Sequence, residues 1–188
     1  MIGIILAGFL PLAAAGAGEI SCADVRSTPE YHLSDACDPF LAGNTAYSIT
    51  YRASLSPMPA SQQVMIFRTD DGWFMSISGY RWDPDTQVVV TRRNEVAISF
   101  DEFRQLSDRL TEASINKLAS LPYYGARDVI CTDGAKYEIA VAKGGKKLIA
   151  EQHSCAGKTE INEIAAAFRD LALTHDPEFE NLLSGLKN

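Results

Sequence analysis

Residues 131–155, CTDGAKYEIAVAKGGKKLIAEQHSC, contain the clearest structural signal in the sequence. Apolar and polar side chains alternate on either side of Gly144 and Gly145, and glycine accepts the positive φ values that a two-residue hairpin turn requires. The register set by this turn places Val141 opposite Leu148, so one face of the pair is apolar. The segment therefore predicts an antiparallel β-hairpin.

The predicted register has two costs. It places Glu138 opposite Glu151, a like-charge pair that destabilises a sheet by about 0.5 kcal/mol. It also leaves Cys131 three residues beyond the position level with Cys155, about 10 Å away along a straight strand. A disulfide needs Cα atoms within about 7 Å. The chain must therefore bend near Gly134, which follows an aspartate in a favoured turn pair.

Four cysteines form an even set, which is typical of a disulfide framework outside the cytosol. Proximity in the sequence favours pairing Cys22 with Cys37 and Cys131 with Cys155. A metal site using Cys131, His153 and Cys155 is the alternative, but the paired ligand spacing and the fourth ligand of a zinc site are missing. A redox role would require C-x-x-C and an activated thiolate. We therefore predict two structural disulfides.

The N-terminal segment, residues 1–17, is apolar and ends in small residues, with Ala15 and Ala17 placed as the A-x-A of a signal-peptidase site. It lacks the usual basic start. A transmembrane anchor is the alternative, but Pro11 interrupts the run, which falls short of about 20 strongly apolar residues. We interpret it as a cleaved signal peptide that precedes a single α+β domain, residues 18–188. The protein is thus expected in the periplasm or outside the cell.

The charge balance limits the classes of partner. The chain contains 17 lysines and arginines against 24 aspartates and glutamates, a net charge of −7. Nucleic acid is a poor partner, because phosphate binding needs a basic surface. The negative charge favours encounter with a cationic partner, or simply keeps the protein soluble. No later apolar run is long enough for stable membrane insertion.

Strand patterns dominate residues 62–98. QVMIFR, WFMSISGYRW and QVVVTRR alternate or are continuously apolar and are separated by Asp-Gly and Asp-Pro turns, which predicts an antiparallel meander that EVAISF extends. In the second of these strands Trp73, Met75 and Ile77 share one face, and Tyr80 lies on the other.

Two amphipathic helices follow the predicted strands. Ser99 and Glu102 form a capping box before a helix that runs to Pro122, and Thr159 caps a second helix. The elements predict an α+β fold in which two main helices pack on one face of one or more antiparallel sheets. Residues 62–122 and 128–175 repeat the order of turn, strands and capped helix, so a duplicated strand-strand-helix unit is a further hypothesis.

Catalytic motifs are missing from the sequence. It contains no G-x-S-x-G, H-E-x-x-H or P-loop spacing, and no cofactor or metal is predicted. His32 near Asp35 is the best candidate for a base oriented by a carboxylate. A non-enzymatic role is therefore favoured. An envelope hydrolase built on His32 and Asp35, and a small-ligand carrier, are the alternatives.

Aromatic side chains provide the candidate binding residues, because rigid aromatics often anchor protein interfaces. The candidates are Tyr80, Arg81 and Trp82 at the end of a strand, with Tyr123 and Tyr124 after the first helix. Together with the disulfides and the acidic charge they predict an exported, disulfide-stabilised binding protein. Its expected partner is another macromolecule, most simply a protein, which it would serve as an inhibitor, an immunity-like factor or an envelope accessory factor.

Overall fold

A computed structural model describes residues 18–27, 35–41, 43–53, 60–123 and 134–182. Its strands are β1 Gly18–Ser21, β2 Ala46–Ala53, β3 Ala60–Thr69, β4 Gly72–Asp83, β5 Val88–Ile98, β6 Ala135–Lys143 and β7 Lys146–His153. All seven form one sheet in the order β1-β7-β6-β2-β3-β4-β5, and every pair is antiparallel. The helices are α1 Cys22–Arg26, α2 Phe100–Ser107, α3 Glu112–Ala119 and α4 Glu160–His175, and short 3₁₀ helices span Pro39–Leu41, Ser154–Ala156 and Pro177–Leu182. The predicted mixture of helices with an antiparallel sheet is confirmed.

The β6–β7 hairpin has the register that the sequence predicts. Val141 lies opposite Leu148. Gly144 and Gly145 form the turn with φ values of 59° and 78°, in the left-handed region that favours glycine. The hairpin joins the rest of the sheet through β6, which pairs with β2.

The like-charge pair also occurs as predicted, since Glu138 lies opposite Glu151. Each carboxylate has a cation of its own. Glu151 pairs with Lys136 at 2.6 Å, and Glu138 lies 3.7 Å from the Lys147 ammonium and 3.6 Å from the Arg52 guanidinium. Cationic neighbours therefore offset the repulsion that the register would otherwise cause.

The main core lies on one face of the sheet, where α2, α3, α4 and the C-terminal 3₁₀ helix pack. Alternate residues of the central strands meet the apolar stripes of these helices, and the cluster includes Ile49, Val64, Ile66, Met75, Ile77, Ile139, Leu106, Ile115, Leu118, Ile161, Phe168 and Phe179. Burial of each large apolar side chain stabilises the fold by about 1.5–3 kcal/mol. The predicted alternation of β4 is observed, because Met75 and Ile77 contribute to this cluster and Phe74 packs on the opposite face.

The segment predicted as the first long helix forms two helices. α2 ends at Ser107, and the Thr111 side chain accepts a hydrogen bond from the Ser114 backbone N–H to begin α3. Leu110 and Ile115 are both buried, yet on a continuous helix five residues rotate one position by about 140° from the other. The break lets both side chains reach the same core.

The α2 capping box is present and extends to α4. The Glu102 carboxylate accepts from the Ser99 backbone N–H at 2.7 Å, and the Glu102 backbone N–H donates to the Ser99 hydroxyl at 3.2 Å. The other carboxylate oxygen lies 2.7 Å from Nε2 of His175, near the C-terminus of α4. The Ser99 backbone N–H, followed by the Ser99 hydroxyl and His175, lowers the pKa of Glu102 from 4.5 to about 2.

We expect Glu102→Ala to lower the free energy of unfolding by about 1 kcal/mol at neutral pH, as loss of a partly exposed helix cap does. Because the pKa of Glu102 is lowered in the folded state, its contribution is complete above 4.5 and is lost as the pH falls towards about 2. Urea unfolding across this range should therefore show the gap between wild type and variant closing. Glu102→Gln, which keeps an acceptor without the charge, is the control. A gap independent of pH would contradict the assignment.

The opposite face of the sheet has a smaller cover that contains the first disulfide. Cys22 at the start of α1 is bonded to Cys37, with Cα atoms 5.2 Å apart, which confirms this predicted pair. Both cysteines pack with Phe67 of β3 and Ala142 of β6. A crosslink over a loop of this length stabilises a fold by about 3 kcal/mol in the chain-entropy model.

The second predicted disulfide is described at one end. Cys155 is disulfide-bonded, and Cys131 lies outside the described residues.

No helix in the described ranges is long and apolar enough to cross a membrane. The duplicated unit stays a prediction, since the first segment contains three strands and two helices and the second contains two strands and one. The division into residues 1–17 and 18–188 also stays a prediction.

Candidate interaction surface at the end of the β4–β5 hairpin

The β4–β5 hairpin lies at one end of the sheet. Its two strands pair as far as Asp83 opposite Val88. Within the ranges that the structure describes, the pairing of β3 with β4 reaches Ala60 opposite Arg81. Among the described residues, the last two pairs of the hairpin therefore form a two-stranded ribbon.

Residues 84–87 connect the two strands of the ribbon. A carboxylate oxygen of Asp83 accepts a hydrogen bond from the Asp85 backbone N–H at 3.0 Å. The Thr86 side chain, followed by that amide, lowers the pKa of Asp83. Among the described residues, Gln87 is the one non-glycine residue with a positive φ, which is 55°. The turn is therefore held by its own side-chain hydrogen bonds.

Apolar side chains are exposed on this ribbon. Val88 is 52% exposed, Val89 53% and Tyr80 37%. Tyr80 and Val89 lie on the face opposite the main core, and so does Trp82, which is directly opposite Val89 and half-buried. We call Tyr80, Trp82 and Val89 the hairpin patch. Exposed apolar side chains grouped together are typical of an interaction surface.

The other predicted binding residues lie elsewhere. Arg81 is half-buried and points to the face of the main core, opposite Val90. Tyr123 packs edge-on against the buried His153 ring at 5.9 Å, and its carbonyl accepts the His153 backbone N–H at 2.9 Å. His153 and Tyr80 occupy one row across the sheet, four strand spacings or about 19 Å apart. Tyr124 lies outside the described residues. The structure thus groups Tyr80 with Trp82 and places Tyr123 at a separate position.

The sequence prediction missed the contribution of β5. The candidates Tyr80, Arg81 and Trp82 lie on β4, which is interior in the sheet because β5 covers its outer side. Val88 and Val89 complete the exposed surface. Their signal was available in QVVVTRR: consecutive valines at the end of a strand expose apolar side chains on both faces.

Asp35, one of the two residues of the alternative hydrolase site, makes structural interactions. One carboxylate oxygen of Asp35 accepts the Cys37 backbone N–H at 2.9 Å, and the other accepts from the Lys147 ammonium at 3.1 Å. Lys147 is buried. These bonds hold the disulfide segment on the sheet. His32, the predicted base, lies outside the described residues.

The described residues also argue against the alternative metal site. Cys155 is disulfide-bonded, so its sulfur is not available as a thiolate ligand. His153 is buried opposite Lys136, and its Nδ1 accepts from the Cys155 backbone N–H at 3.2 Å. Across the described ranges no group of three His, Cys, Asp or Glu side chains could hold a metal ion.

Comparison of the chain with protein-family models, curated proteins and solved structures finds no match.

Proposed function

We propose that this protein is an exported, disulfide-stabilised binding protein that acts on another macromolecule through the hairpin patch. It would act as an inhibitor, an immunity-like factor or an envelope accessory factor. The observation that carries the proposal is the grouping of Tyr80, Trp82 and Val89 on one face of the β4–β5 ribbon. Tryptophan and tyrosine are the residues most enriched at the energetic centres of protein interfaces.

Compartment and charge support the same proposal. The Cys22–Cys37 disulfide suits a protein that functions outside the reducing cytosol. Asp83 and Asp85 in the turn place two carboxylates beside the patch, and the chain has a net charge of −7. Carboxylates at this end of the patch and the negative net charge favour a protein partner with a cationic surface, because complementary potentials accelerate encounter and fix orientation.

A cross-linked pull-down from an envelope extract tests the proposal, with the oxidised chain from residue 18 as bait. We expect one stoichiometric partner with wild type, and about 30-fold weaker binding with Trp82→Ala or Val89→Ser, the effect of losing a central anchor. Phe40→Ser is the matched control, since Phe40 is 75% exposed and lies on another element. Circular dichroism and thermal unfolding verify that each bait is folded.

Two outcomes would count against the hairpin patch. Capture of no specific partner by the folded wild type would remove the support for a protein-binding role in that extract. Equal capture by wild type and Trp82→Ala, with loss in Phe40→Ser, would move the interface to the 3₁₀ helix Pro39–Leu41 that carries Phe40.

A further inference from the structure

The outer edge of β5 is a long strand edge. Within the described part of the chain β5 pairs with β4 alone and forms one end of the sheet. It contains 11 residues, whereas β1 at the other end contains 4. An edge strand presents a row of N–H and C=O groups that can template another strand. The edge of β5 is therefore the place where this sheet can be extended.

We infer that β5 pairs with β5 of a second copy of this chain, antiparallel and centred on Asn94. In that register Arg93 lies opposite the second copy's Glu95, and Glu95 lies opposite the second copy's Arg93. Both side chains are exposed and project from the same face of the sheet. Opposite charges directly across an antiparallel pair stabilise it, and the two-fold symmetry produces two such pairs.

The neighbouring registers are disfavoured by the same two residues. A shift by two positions in one direction places Arg93 opposite the second copy's Arg93, and a shift in the other direction places Glu95 opposite Glu95. Like charges directly opposite each other destabilise a strand pair. A shift by one position would set side chains of opposite faces across from one another. The charge pattern therefore selects the register centred on Asn94.

Apolar residues on the other face fit the same register. It places Val90 opposite the second copy's Ile98, and both residues belong to the face of the main core. A shift by two positions would also pair apolar residues on this face, so these residues are compatible with the register and the charged residues select it.

This inference goes beyond the proposed function and does not depend on it. Strand pairing uses backbone groups in the plane of the sheet, whereas the side chains of the hairpin patch stand on one of its faces. Self-association can thus be measured with the isolated chain, before any other partner is known.

Analytical ultracentrifugation of the oxidised chain from residue 18, over a wide concentration range, tests the inference. Wild type should dimerise. Arg93→Glu and Glu95→Arg should each weaken self-association by about 30-fold, because two favourable cross-strand pairs become two repulsive ones. An equimolar mixture of the two variants should dimerise again, since every cross-strand pair in the mixed dimer joins Glu with Arg.

The double variant Arg93→Glu/Glu95→Arg provides the second control and should dimerise like wild type. Exposed substitutions of this kind change folding stability by at most about 0.5 kcal/mol, and thermal unfolding verifies this. A wild type that stays monomeric at every concentration would overturn the inference. So would single variants that dimerise as tightly as wild type, or a mixture that fails to recover.

Discussion

Gly134→Ala is expected to lower the free energy of unfolding by about 3 kcal/mol or more, from backbone strain and steric overlap together. Gly134 has a φ of 120°, and a Cβ there would lie 2.5 Å from the Ser154 hydroxyl oxygen and 2.9 Å from Cε1 of His153. Neither neighbour can move freely. The Ser154 hydroxyl accepts the Ala135 backbone N–H at 3.0 Å, and the His153 ring is buried.

Gly145→Ala separates the cost of backbone strain from the cost of steric overlap. Gly145 also has a positive φ, of 78°, but no atom lies within 4 Å of the position of its Cβ. Its replacement should cost only backbone strain, about 1–2 kcal/mol. Chemical denaturation of both variants under oxidising conditions gives the comparison. Equal costs for Gly134→Ala and Gly145→Ala would show that the close approach at the base of the hairpin does not constrain the fold.

Lys147→Met is expected to destabilise the protein by about 3 kcal/mol, within the range for breaking a buried ion pair. The Lys147 ammonium lies 3.1 Å from Asp35 and 3.7 Å from Glu138, and all three side chains are largely buried. Methionine keeps the volume of the side chain and removes the charge. Two partly buried carboxylates would then have lost their shared cation. Urea unfolding of the oxidised protein measures the effect.

The neighbouring residue Lys146 offers a matched control. Its side chain is exposed and pairs with Glu19 at 2.8 Å, so Lys146→Met should lower the free energy of unfolding much less than Lys147→Met does. Adding Asp35→Asn to Lys147→Met should recover part of the loss, because the double variant no longer leaves that carboxylate uncompensated. A loss in Lys147→Met no greater than in Lys146→Met would contradict a structural role for this ion cluster.

The sequence correctly predicted the elements that are determined by residues close together in the chain. The Gly144-Gly145 turn determined the register of β6 and β7, because a two-residue turn leaves one alignment that keeps the apolar faces together. Ser99 and Thr159 marked true helix starts, since each side chain accepts a backbone N–H three residues ahead. Proximity also predicted the Cys22 pair correctly.

Features that depend on distant residues could not be predicted in the same way. α1 and β1 were missed, because five helical residues and four strand residues are stabilised by contacts with β7 and the disulfide rather than by a pattern of their own. The break after α2 was not predicted, because Leu106, Leu110 and Leu118 also lie at the spacing of one continuous helix. Burial of His153 depends on Tyr123, thirty residues earlier in the chain.

The prediction of the binding residues was limited in the same way, because it also depends on residues distant in the sequence. Composition drew attention to Tyr80 and Trp82, and these two lie together. Whether their strand is interior or at an edge depends on the sheet order, and no local pattern determines which strand lies outermost. The valines of QVVVTRR are visible in the sequence, but the position of Val89 opposite Trp82 depends on the pairing of β5 with β4.

The central position of β2 also affects how the chain reaches this structure. β2 pairs with β3, which follows it closely, and with β6, so that Ala46 lies opposite Ala142. Strands β2 to β5 can associate as a contiguous meander, but one side of β2 then waits for a segment made much later. Pairings of such long sequence separation slow folding and leave a strand edge open to other chains. In the exported state proposed above, a holding chaperone that shields this edge until β6 docks would protect the chain during its most aggregation-prone interval.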